Sequence, residues 1–97
     1  MIEYLIRRTD GEWFDYPLPL PEFCHPTTVE WKVVEGWGNA RFAVAGVEVS
    51  VSDEDPGLQV SFEGDIDPNL AGKVVNEMLD NVEQATGQKG RIVQISW

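Results

Sequence analysis

Cys24 and His25 stand next to each other and are the chain's only thiol and imidazole. A Cys–His pair can supply a nucleophile and its base. Neighbours in an extended segment point in opposite directions, however, so adjacent residues seldom form that pair. His25 is further confined by Pro26, and we read both residues as structural. Ser50, Ser52, Ser61 and Ser96 lack the G-x-S-x-G elbow of serine hydrolases, and His25 would be their one imidazole base. The run Asp65-Ile66-Asp67-Pro68-Asn69 matches the opening of a calcium loop. The pattern then requires Gly and, at its twelfth position, Glu; here Leu70 and Asn76 stand instead. One Cys and one His cannot build an ordinary structural zinc site. The expectation is a protein without catalytic residues, metal or cofactor, and not an enzyme.

Carboxylates are the abundant reactive groups. Between Asp53 and Asp67 lie Asp53, Glu54, Asp55, Glu63, Asp65 and Asp67 with no Lys or Arg among them, in a chain of net charge -10. Paired acids of the glycosidase kind must approach within about 10 Å. Residues 58–62 read as a strand between the two groups, and five residues at about 3.4 Å each hold them roughly 17 Å apart. That separation suits a broad acidic surface better than one converged site.

The elements that position these groups follow from periodicity. Ile2, Tyr4 and Ile6 alternate with Glu3, Leu5 and Arg7 in a first strand ended by Thr9-Asp10-Gly11. Residues 12–26 combine Trp13, Phe14, Tyr16 and Phe23 with four prolines, and read as an ordered loop whose aromatics cover the core. The same aromatics, left exposed, would make a docking surface. Val29, Trp31 and Val33 share one face of a second strand ended by Gly36-Trp37-Gly38. A turn at Ala45-Gly46 pairs Val44 with Val47, Phe42 with Val49 and Ala40 with Val51, all six on one face; one long strand with a bulge at Gly46 would restore the same phase. Asp53-Glu54-Asp55-Pro56-Gly57 has turn chemistry, and Leu58, Val60 and Phe62 alternate after it.

The period then changes. Asp67 suits a helix N-cap, Pro68 the first helical position and Gly87 the C′ position. Leu70, Ala71, Val74, Val75, Met78, Leu79, Val82 and Ala85 fall on one half of the helix. If this helix runs antiparallel to strand 58–62, Asp80 and Glu83 approach the Asp53–Asp55 turn. A last strand from Arg91 to Ser96 carries Val93 and Ile95, with Trp97, on one face. The expected fold is α+β, two-layer: an antiparallel sheet of about five or six strands with one amphipathic helix, about 68–86, packed on it.

Composition bounds the rest. Ninety-seven residues with 42% hydrophobic content make one domain, 1–97, with a core of its own. A lone cysteine excludes an internal disulfide. The N-terminus lacks a signal-peptide pattern and no apolar run approaches 18 residues, so the expectation is a cytoplasmic protein. Residues 1–48 carry 4 basic and 8 acidic side chains; residues 49–97 carry 3 and 9. The seven cations are scattered and the summed field opposes phosphate, which excludes nucleic acid and anionic membrane as partners.

These readings point to a non-enzymatic binding protein docking its acidic side on a basic protein partner such as a toxin or nuclease. In size and acidity the chain resembles small bacterial immunity proteins, without the motif of any one family. The residues expected at that contact are Asp53, Glu54, Asp55, Glu63, Asp65, Asp80 and Glu83. The alternative is a small structural or oligomerising domain, a homodimer for example, whose acidity serves solubility.

Overall fold

A computed structural model describes residues 1–15, 24–35, 40–54 and 57–96, with Asp53 and Glu54 as backbone only. The elements run β1 (Ile2–Arg8), β2 (Lys32–Val33), β3 (Ala40–Val44), β4 (Val47–Glu54), β5 (Gly57–Glu63), α1 (Pro68–Thr86) and β6 (Gly90–Ser96). The strands form one sheet in the order β2-β3-β4-β5-β1-β6, every neighbouring pair antiparallel. The architecture is the expected α+β: one helix on a six-stranded antiparallel sheet. Because β1 lies between β5 and β6, α1 links two parallel strands separated by a third, a split β-α-β arrangement.

The hairpin β3–β4 has the register expected from its alternation: Val44 faces Val47, Phe42 faces Val49 and Ala40 faces Val51. Ala45 and Gly46 both take positive φ, 51° and 79°, as a type I′ turn requires. Cross-strand pairing on one face is therefore kept without a bulge. Ile6, Phe42, Val49, Val51, Leu58, Val60 and Phe62 are fully buried on the inner face of the sheet. Above β1 and β6 lies α1, which contributes Ala71, Val74, Val75, Met78 and Val82. The helix begins as its sequence dictates. Asp67 Oδ1 accepts the amide of Asn69 at 2.8 Å, Pro68 opens the first turn, and Gly87 ends it in the left-handed conformation at φ 70°.

The structure departs from the periodicity in three places. The second strand is only Lys32–Val33; Thr27 to Val29 are drawn onto the helix, Trp31 turns onto His25 and Phe42, and Val33 stays 79% exposed. In β6, Ile92 and Gln94 face Ile6 and Tyr4, while Val93 faces Leu5 on the outer side and Ile95 is exposed. A register shift between Glu3 and Tyr4 accompanies this phase, so Val93 and Ile95 are not the core residues of the last strand. Third, Asp53 and Glu54 extend β4 and Gly57 begins β5, which leaves only Asp55 and Pro56, outside the described residues, as the connection.

Of the aromatic segment, Phe14, Cys24 and Pro26 are buried and Trp13 is 44% exposed. Residues 16–23, Trp37 and Trp97 lie outside the described residues.

Candidate functional site

The seven acidic residues expected at a contact do not share one environment. Asp53 and Glu54 end β4, Glu54 facing Gly57 across the ladder, and Asp55 lies outside the described residues. Glu63 ends β5 at the opposite edge of the same hairpin, facing Glu48. The two groups thus stand at opposite ends of the strand, as the spacing requires. Asp65 is exposed in the connection to α1, and Asp80 is exposed on the helix.

Among the described side chains, Glu63 and Glu83 have partners within the chain. Arg41 bridges Glu48, at 2.8 Å, and Glu63. Hydrogen bonding to Glu48, with the charge of Glu63, holds the Arg41 guanidinium above its ordinary range, although its burial opposes this. The triad keeps one net negative charge. Glu83 accepts the amide of Gly90 at 2.9 Å and so is drawn toward β6. Gly90 opens β6 at the same end of the sheet where Gly57 faces Arg7 and Glu54, so Glu83 is drawn toward the Asp53–Glu54 end, with two strands, β1 and β5, lying between β6 and β4.

Glu77, which periodicity places on the polar half of α1, carries the densest hydrogen bonding of any described acid. It accepts the amides of Thr27 and Thr28, each at 2.7 Å, the amide of Val29 at 3.4 Å and the hydroxyl of Thr28. The Thr28 hydroxyl and these amides hold its carboxyl down to about 2. Asn81, one turn further on, donates to the carbonyl of His25 at 2.5 Å. Together they clamp residues 25–29 against the helix. The partners are about fifty positions apart in the chain, and only the adjacent threonines hint at the contact.

The clamp explains Cys24 and His25. The Cys24 thiol is buried within the core cluster. The His25 ring stacks on Trp31 with centroids 3.8 Å apart and planes 1° from parallel, and meets Phe42 edge-on. Burial pushes its pKa below the ordinary value and so favours the neutral ring. Its neighbours are aromatic rings, which fits a packing residue.

Asp67 is engaged at the helix N-terminus, and among the described residues no three His, Cys, Asp or Glu side chains converge in a metal-binding arrangement. An edge groove of about 300 Å³ is lined by Glu30, Trp31, Lys32, Ala43, Ala45 and Gly46. Among the described residues no helix is long and apolar enough to cross a membrane.

Residues directly opposite across an antiparallel ladder share a face. The outer face of the sheet therefore carries a row of Ser96, Glu3, Ser61, Ser50 and Arg41, a row of Val93, Leu5, Gln59 and Ser52, and a row that begins Arg91, Arg7, Gly57. Glu3 accepts from Gln59 at 2.8 Å between the first two rows. No family model, curated protein or solved structure matches the chain.

Proposed function

We propose that the chain is a non-enzymatic acidic binding protein, working as an immunity-type or inhibitor protein does, whose carboxylate-rich side docks on a basic protein partner. The observation that carries this reading is the charge of -10 on 97 residues. A field of that sign speeds encounter with a basic surface and discourages acidic competitors. The intramolecular partners of Glu63 and Glu83 narrow the contact to Asp53, Glu54, Asp55, Asp65 and Asp80 as its principal charges. The Arg41 triad adds one further negative charge at the end of the hairpin where Asp65 follows Glu63.

The test begins with a pull-down from the producing cell at low and high salt, followed by association kinetics with the captured partner. Replacing Asp53, Glu54 and Asp55 together by their amides should slow association and flatten its salt dependence. Unchanged kinetics would defeat the reading.

A second reading, a structural or oligomerising domain, is favoured by β6. It is a seven-residue edge strand with Ile95 45% exposed, the kind of edge that pairs with another chain. A homodimer that sediments identically at low and high salt would support this reading.

A further inference from the structure

In a strongly acidic chain, four of the seven cations, Arg7, Arg8, Lys89 and Arg91, fall at one end of the β1–β6 pair. Arg7 and Arg91 face each other directly across that ladder, on the outer face of the sheet. Like charges in that relation destabilise a sheet unless something stands between them. The next residue in the row, Gly57, has no side chain, so the floor beside Arg7 is bare backbone.

Among the side chains described, the neighbouring groups do not quench the pair; Glu54, next in the row beyond Gly57, is described as backbone only. Arg8 is held by Asp10 at 2.6 Å and by the carbonyl of Trp13 at 2.9 Å. Asp10 in turn accepts the amide of Glu12, and that bond, followed by Arg8, lowers its pKa. Glu3 is two rows away and holds Gln59. Arg7 Nε is buried and has no hydrogen-bond partner among the described residues, although a buried guanidinium nitrogen ordinarily has one. The head of Arg7 lies against Gly11, where an added Cβ would sit 3.5 Å from Nη2, so it is confined on that side.

From these observations we infer that Arg7 and Arg91 form a binding site for an oxyanion, a phosphate or carboxylate group seated between the two guanidinium groups above Gly57. An oxyanion of this kind accepts N–H bonds from both forks at once and removes the like-charge repulsion. The inference stands apart from the identity of any basic partner, because it concerns the opposite sign of charge.

The test is a titration of the full chain with inorganic phosphate, and separately with acetate, at constant ionic strength held by chloride. The arginine Nε–H resonances are followed by NMR and the melting temperature is read in parallel. Saturable shifts at Arg7 and Arg91 are expected, weakened about tenfold or more in Arg91→Gln and in Arg7→Gln and unchanged in Lys73→Gln. Arg91→Gln, at an exposed position, should also melt higher than the parent in chloride and gain less from phosphate. Stronger binding of phosphate assigns a phosphoryl ligand; equal or stronger binding of acetate assigns a carboxylate. Absence of saturation, or binding that survives both arginine substitutions, would overturn the site. So would binding that appears only after Glu54→Gln and Asp55→Asn, because the arginines would then serve their own chain's acids.

Discussion

Replacing Gly57 by Ala should cost this domain a large part of its stability, whereas replacing Gly72 by Ala should raise it. A Cβ on Gly57 would lie 2.1 Å from the carbonyl oxygen of Ile6, 3.0 Å from its carbon and 3.1 Å from Arg7 Cα. Carbon–oxygen contacts ordinarily stop near about 3.3 Å, so β1 would have to withdraw by roughly 1 Å. β1 is paired on both sides, with β5 and β6, and all three obstructing atoms are backbone. Overpacking commonly costs about 1–3 kcal/mol where side chains can yield; with backbone alone to move, we expect about 3 kcal/mol or more. A domain of this size holds about 5–15 kcal/mol in total and shifts by about 4–8 °C per kcal/mol, so the melting temperature should fall by at least about 12 °C. At Gly72, inside α1, an added Cβ meets nothing within 4 Å. The gain there is helix propensity, about 1 kcal/mol or about 4–8 °C upward. Thermal melts and urea midpoints at constant m-value read both changes. The reasoning fails if Gly57→Ala stays within about 1 kcal/mol of the parent, or if Gly72→Ala melts lower.

Three further outcomes follow from named contacts. The Glu77 carboxyl is held down to about 2, below its unfolded value, so its contribution is complete above the ordinary carboxylate range and disappears as pH falls through about 4.5 toward 2. Urea midpoints of the parent should therefore drop across that window more steeply than those of Glu77→Gln, and parallel curves would refute the clamp. Ala45 occupies φ 51°, a conformation costing an L residue roughly 1–2 kcal/mol; Ala45→Asn should stabilise by about 0.5–1 kcal/mol in equilibrium unfolding, because Asn tolerates a type I′ turn. Asp67→Ala should lose about 1 kcal/mol, whereas Asp67→Asn should remain near the parent, since either Asp or Asn caps a helix.

The acidic residues show how far position in the chain can be carried toward a site. Their division into two groups was legible because the strand between them has a fixed rise per residue, and Leu58, Val60 and Phe62 marked that strand. Which carboxylates keep their charge free was not legible. Arg41 reaches Glu63 across β4, and Glu83 finds Gly90 around the end of the helix. Both depend on which strands lie side by side.

Taken alone, the sequence determined what is local. Asp67, Pro68 and Gly87 bounded α1, and its apolar positions named the buried face, because capping and a 3.6-residue period act within a few residues. The alternation around Ala45-Gly46 determined the β3–β4 register, since a two-residue turn leaves one pairing that keeps six apolar side chains on one face. Tertiary structure decided what depends on distant neighbours. The pairing of β6 with β1 turned Ile92 inward and Val93 outward, although Val93 and Ile95 fitted a buried face equally well. Glu77 drew Thr27 to Val29 off a strand path and onto the helix. The order of the strands set Arg7 against Arg91. A one-residue phase and a contact across fifty residues leave little local trace, because their energies arise only when the separate segments meet.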